Sequence, residues 1–289
     1  MLIDTHDHVN FNAYKNDAND VIRRSLDNGV WMINVGSQYD TSKRAVEIAE
    51  RYEKGVYAAI GLHPIHLANG IFKTKIDTEE IEFQTREENF DYQKYKDLAL
   101  RSFNEGGKVV AFGETGFDYY WKPKTKVKIE QFKEKQKEVF LKQLDLAKEL
   151  NLPVIFHCRI AHDDLIQTIQ QSNNPTIKGV IHCFTGTWQD AKKYLEMGLY
   201  LGFNGIIFKL DLDEIINKTP LEKILIETDC PYLTPPLPAV ALAKAGPQLI
   251  RNEPLYVKYV AEKIAKIKNI NYEEVTKITA ENAKKLFKI

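Results

Sequence analysis

Short apolar, β-rich runs alternate along this chain with segments of helical periodicity, and that alternation restricts the fold more than any other feature. The runs are Leu2 to Asp4, Val30 to Val35, Val56 to Gly61, Lys108 to Gly113, Pro153 to His157, Gly179 to His182, Leu199 to Phe203 and Ile224 to Thr228. Between them, 127–150 carries the clearest helical stripe, in which Phe132, Val139, Phe140, Leu144 and Ala147 recur against Lys, Gln and Glu. Weaker stripes cover 17–28, 39–52, 92–105, 163–171, 188–197 and 254–268. Such alternation implies parallel strands joined by right-handed crossovers. Eight units in 289 residues suit a closed (β/α)8 barrel of the TIM type better than an open doubly wound sheet. We expect one barrel domain over 1–289, with 272–287 as a further packing helix. The stretch 66–91 breaks the rhythm with a high density of Lys, Arg, Asp and Glu. It reads as a surface insertion, a solvated loop with a short helix, with a lid or partner-binding role as the alternative.

Where the polar residues fall decides between the two architectures. His6 and His8, Glu114, His157, His182 and Asp229 each close an apolar run, with a less clear case at His63. Active sites of such barrels form at the C-terminal ends of the strands, so a barrel would bring these residues to one mouth. An open sheet would scatter them along an edge. Histidines at i and i+2 lie on one face of a strand, which makes His6 and His8 a chelating pair. Imidazoles with carboxylates form a mixed N/O set suited to Zn, Mn, Co or Fe, with enough ligands for two adjacent divalent ions. Glu114, on the middle strand, is the natural bridge. Two ions roughly 3.5–4 Å apart can lower the pKa of a shared water and neutralise an attacked phosphoryl or carbonyl group. The class this implies is a hydrolase.

Bulk properties narrow the partners. Lys plus Arg and Asp plus Glu both number 40, so no global field draws the chain to polyanions and any such binding needs a local patch. No apolar segment approaches the roughly 20 residues of a membrane span, and a cytoplasmic location is expected. Cys158, Cys183 and Cys230 each follow a suspected ligand; strand alternation would turn them to the opposite face, as packing residues and not ligands.

The segments IDTHDH at 3–8, GLHP at 61–64, GETGFDYY at 113–120, PVIFHCR at 153–159, IHCFTG at 181–186, ETDCPYLTP at 227–235 and RNEP at 251–254 together resemble the TatD family of metal-dependent deoxyribonucleases, within the amidohydrolase superfamily. The resemblance spans almost the whole chain. It implies a distorted barrel and divalent-metal hydrolysis of DNA phosphodiesters, typically from a 3′ end, with Mg, Mn, Zn or Co as the candidate ions. Carried over by motif, His6, His8, Glu114 and Asp229 would hold one ion, with Glu114, His157 and His182 holding the other. His63 would touch substrate phosphate. The chain departs from the family's pattern at Asn10 and Ile160, where an acidic residue is usual.

Glu114 and Asp229 are the expected catalytic residues, with Asp229 taking the proton of the attacking water. Glu227, two residues earlier on the same strand face, could orient a ligand histidine. Arg159 is placed to clamp phosphate, with a barrel-top salt bridge as the competing role. Arg251 is a candidate substrate contact, with capping of the helix begun by Pro254 as its competitor. The segment 121–128 holds Lys122, Lys124, Lys126 and Lys128 and follows Phe117, Tyr119 and Tyr120. Cations attract phosphate and aromatic faces stack unpaired bases, so this is the expected groove for single-stranded DNA or 3′ ends, with a solvated loop leading into a helix as the competing role. A monomer is the expected assembly. The competing readings are a hydrolase of an amide, ester or aminoacyl-tRNA on the same metals, and a non-catalytic binding protein on the same fold.

Overall fold

The computed structural model describes residues 1–68, 70–76, 79–104, 106–120, 123, 125–172, 174, 176–237 and 251–289. Eight parallel strands form one sheet in the order β1 (Leu2–Asp7), β2 (Val30–Val35), β3 (Val56–Ile60), β6 (Val109–Asp118), β7 (Val154–Arg159), β8 (Gly179–Ile181), β9 (Tyr200–Phe203) and β10 (Ile224–Ile226). Each overlaps one of the runs read from the sequence, with β1 and β6 continuing past their expected ends. The sheet curls into a nearly closed barrel. Side chains close the seam between its outer strands: Thr5 Oγ1 donates to the carbonyl of Ile226 at 3.1 Å, and Thr228 donates through N (2.9 Å) and Oγ1 (2.5 Å) to the Asp4 carboxyl group.

Helices α1 (Ala18–Asp27), α2 (Tyr39–Ala49), α3 (Tyr92–Asn104), α4 (Lys126–Glu149), α5 (His162–Gln171) and α6 (Trp188–Glu196) fill the crossovers, followed by α7 (Asp213–Lys218), α8 (Val257–Lys268) and α9 (Tyr272–Phe287). The short α7 carries too few turns to show a periodic stripe in the sequence. In α4 the predicted stripe is the buried one: Phe132, Val139, Phe140, Leu144 and Ala147 all face the barrel wall. Each large side chain removed from water there contributes about 1.5–3 kcal/mol.

Strand pleating divides the core in two. Even positions of β2, such as Met32, pack outward against helices, while Ile3, Ile33, Val35, Ala59, Ala111, Ile155 and Leu225 fill the barrel interior. Ala280, Ala283, Leu286 and Phe287 of α9 join that inner core, and Asn282 Nδ2 donates to the carbonyls of Leu221 and Ile224 where β10 begins. The N-terminal end of the barrel is thereby plugged, leaving the C-terminal mouth for chemistry.

The insertion differs from its expectation. It forms an antiparallel hairpin of β4 (Gly70–Ile76) and β5 (Glu79–Thr85), in place of a loop with a short helix. The two strands pair in register from Gly70 opposite Thr85 to Ile76 opposite Glu79.

Candidate metal centre

Strand β1 delivers the first two side chains. His6 on the strand and His8 just past it bring their Nε2 atoms to 3.2 Å, and His8 Nδ1 is fixed 2.8 Å from the carbonyl oxygen of Val35. β6 delivers Glu114 and runs on to Asp118, five residues beyond its expected end. This length depends on Gly116: its φ is +150° and a Cβ would lie 2.0 Å from the His157 carbonyl oxygen, so glycine lets β6 run flush against β7. The close approach puts His157 Nδ1 2.6 Å from Glu114 Oε1.

His182 follows β8, its Nε2 3.9 Å from Glu114 Oε1 and 3.8 Å from Asp229 Oδ1. Asp229 sits past β10 at φ +58°, a conformation that Asp tolerates better than most residues. Its Oδ1 is 3.4 Å from His8 Nε2 and 4.0 Å from His6 Nε2. Glu114 Oε2 is 3.5 Å from His6 Nε2, so the two oxygens of one carboxylate face different histidines. All six expected ligand positions therefore converge. His63 converges with them: its Nε2 is 3.5 Å from Glu114 Oε1 and its ring centroid is 4.1 Å from that of His157.

Four overlapping sets of ligand-type atoms, each within 4.8 Å of one another, could hold a metal ion: His6, Glu114 and His182; His6, His8 and Asp229; His63, Glu114 and His157; His182, Cys183 and Asp229. The state of His6 tests the fit. It is fully buried, its Nδ1 has no hydrogen-bond partner, and its ring stacks on His182 with centroids 3.5 Å apart. Burial, with His182 beside it, lowers its pKa to about 4, so it is a neutral imidazole with a lone pair to offer. A neutral nitrogen of this kind, among converging imidazoles and beside two buried carboxylates, suits a divalent cation.

The surrounding charges are set by the same crowding. Burial opposes charge on His157, but Asp118 and Glu114 override it and raise its pKa to about 9. Burial likewise opposes charge on His182, and Glu227, Glu114 and Asp229 lift it to about 10. Against burial, His63, His157 and His6 hold Glu114 well below the ordinary carboxylate range, and His8 and His182 hold Asp229 below it. Both carboxyl groups are ionised at neutral pH.

Two contributors escaped the sequence reading. Asp118 Oδ2 lies 3.1 Å from His157 Nε2; the signal was the period of two from Glu114, obscured by ending β6 too early. Cys183 joins one ligand set, while Cys158 and Cys230 are packed in the outer core as expected. β8 stops at Ile181 and Cys183 takes φ +46°, so strand alternation no longer governs it. Glu227 is where the sequence put it, with Oε1 2.8 Å from His182 Nδ1 and accepting from the Cys183 N–H at 2.6 Å.

The expected substrate contacts divide. Arg159 lies over the Tyr120 ring at 3.8 Å, and the Tyr119 hydroxyl donates to Asp164 at 2.8 Å. Arg251 is not brought to the cluster: its guanidinium forks Asp17 and packs 3.9 Å over Tyr14. Its neighbour Asn252 donates to the carbonyls of Thr228 (3.0 Å) and Tyr232 (2.6 Å), so 251–254 braces the Asp229 loop. Lys122, with Trp121 and Lys124, lies outside the described residues; Lys126 and Lys128 are exposed at the start of α4.

Among the described residues no helix is long and apolar enough to cross a membrane. The chain is 39% identical over 295 residues to the uncharacterized metal-dependent hydrolase YabD of Bacillus subtilis, covering 100% of both. It is 29% identical over 281 residues to the 3′-5′ ssDNA/RNA exonuclease TatD of Shigella flexneri, covering 96% of this chain and 95% of that protein. The crystal structure of YJJV, a TatD homolog from Escherichia coli K12, superposes with a TM-score of 0.77 at 26% identity, over 100% of this chain and 98% of the other. The family described as TatD related DNase matches residues 3–288. An eight-stranded barrel whose mouth gathers histidines and carboxylates, and a family match over nearly its whole length, carry one conclusion: this chain belongs to the TatD-related DNase family of metal-dependent hydrolases.

Proposed function

We propose that this protein hydrolyses DNA phosphodiester bonds, working from the 3′ end of single strands, with two divalent cations (Mg, Mn, Zn or Co) held by His6, His8, Glu114, His157, His182 and Asp229. The observation that carries the reading is Glu114, whose Oε2 faces His6 at 3.5 Å while its Oε1 faces His157 at 2.6 Å, so that one carboxylate could serve ions held by either histidine. When bound, such ions supply a water of lowered pKa and offset charge on phosphoryl oxygens.

The chain's own residues supply the rest. Asp229, kept ionised by its histidines, accepts the proton of the attacking water. His63 Nδ1 accepts the Ile65 N–H at 3.0 Å, which in the neutral ring leaves Nε2–H as a donor. That donor, at the mouth of the barrel, suits a non-bridging phosphate oxygen. Glu227 holds the ring of His182 in place. The nucleic-acid preference is supported by the similarity to an ssDNA/RNA exonuclease and by the aromatic and cationic rim of Tyr119, Tyr120 and Arg159.

The test is digestion of 3′- and 5′-labelled single-stranded and duplex DNA by metal-stripped protein with each ion added back. Stepwise loss from the 3′ end of single strands supports the proposal. Absence of cleavage with every ion, in protein shown to bind metal, transfers the reading to a carbonyl substrate.

A further inference from the structure

The ends of β6 and β7 frame a cavity of about 210 Å³ lined by Tyr119, Ile129, Phe132, Lys133 and Ile160. We propose that this cavity is a nucleobase subsite, receiving one unpaired base of the strand whose end lies at the metal centre; this rests on the nuclease reading above and names where its substrate is gripped. Three observations carry it. Its walls are two aromatic rings and two isoleucines, and Lys133 Nζ sits 4.5 Å over the Tyr119 ring at its edge. An aromatic, apolar slot with one cation fits a base and its phosphate, and fits neither a fully polar nor a purely aliphatic ligand.

One wall of the cavity is also close to the centre along the chain. Ile160 is three residues past His157 on the same chain segment, roughly 10 Å at the rise of an extended strand. Tyr119 donates its N–H to the Arg159 carbonyl at 2.9 Å, tying the two walls together at that level.

Ile160 itself is the third observation. It holds φ +58°, the left-handed region that β-branched residues avoid, and the residue is 68% exposed. An exposed isoleucine gives the fold little packing, and this backbone would be relaxed by glycine. What isoleucine adds is an apolar wall to the slot. Tyr120, also exposed and stacked under Arg159, extends the same rim.

The test uses metal-loaded protein and three kinds of substrate: a thymidine oligonucleotide, the same oligonucleotide with a single abasic residue placed successively at the first to fourth positions from the 3′ end, and thymidine 5′-p-nitrophenyl phosphate, too short to reach the slot. The proposal expects the abasic residue to raise KM about fivefold or more at one position only, the lower end of what stacking on an aromatic face supplies. Ile129→Trp, which fills the slot, and Ile160→Gly, which removes a wall, should erase that position dependence while leaving turnover of the short diester unchanged. Ile160→Gly should melt at the same temperature as the parent or higher, so a lost KM effect cannot be ascribed to unfolding. Equal response at all positions, or variants that keep the profile, would overturn the subsite while the nuclease stands. Failure to hydrolyse both oligonucleotide and short diester would remove the nuclease reading and the subsite with it.

Discussion

The backbone N–H of Asp229 donates to the carbonyl of His6 at 2.8 Å, so a ligand-type residue of the last strand is bonded directly to one of the first. Beside it, His8 donates its N–H to the Cys230 carbonyl at 2.9 Å. The seam of the barrel and the floor of the candidate centre are therefore one structure. Asp4 underpins both, accepting from Thr228 and from the His6 N–H at 3.2 Å.

Replacing Asp4 with alanine should weaken the fold and the site together. The Thr228 and His6 N–H groups are left buried without an acceptor, at about 1–3 kcal/mol for each. A fall of several degrees in Tm, with weaker divalent-ion binding, is expected by calorimetry on metal-free and metal-loaded protein. An unchanged Tm would show that the seam is held by other contacts.

Glu227→Gln separates orientation from charge. Glutamine can still accept the Cys183 N–H, so the barrel should keep its Tm, but His182 loses the carboxylate beside Nδ1. Divalent-ion affinity, measured by competition with a chromophoric chelator, should fall by about 10- to 100-fold. Parental affinity would deny Glu227 any influence on His182.

The raised pKa values of His157 and His182, to about 9 and about 10, give a pH signature. Both lie above the ordinary imidazole value, so their contribution to the metal-free fold is complete below about pH 6.5 and is lost as pH rises through 9 to 10. Near neutral pH both rings carry protons that an arriving cation must displace. Metal binding should therefore release protons and tighten from pH 6 to 9. Titration calorimetry in buffers of different ionisation enthalpy measures this; binding heats independent of buffer would contradict it.

Asp229→Asn keeps a residue type that tolerates the left-handed backbone while removing the proton acceptor. Turnover should fall by about 10²- to 10⁴-fold with the fold intact. Near-parental turnover would assign proton transfer to another group.

Most of the barrel was legible because its strands are buried on both faces and read as short apolar runs, five of them closed by a residue that apolar packing cannot explain. His6, Glu114, His157, His182 and Asp229 needed only that rule. The misses share a cause. Asp118 lay beyond a strand end that Gly113 and Gly116 disguised as a loop; in the fold those glycines permit close packing of β6 on β7. Cys183 broke alternation because its φ is +46°, which no local pattern announces. The fork of Arg251 on Asp17, 234 residues away in the chain, depends on how α1 and the segment before α8 meet. The pairing of β4 with β5 was hidden by composition, since a stretch dense in Lys and Glu reads as a solvated loop.

The most direct test of the account is to titrate divalent ion into metal-stripped protein and into Glu114→Ala while following both ions bound per chain and hydrolysis of 3′-labelled single-stranded DNA. In the parent two ions should bind, with 3′-end cleavage rising as the second is taken up, and the variant should lose both the second ion and cleavage. Full cleavage by Glu114→Ala, or cleavage saturating with one ion bound, would contradict it.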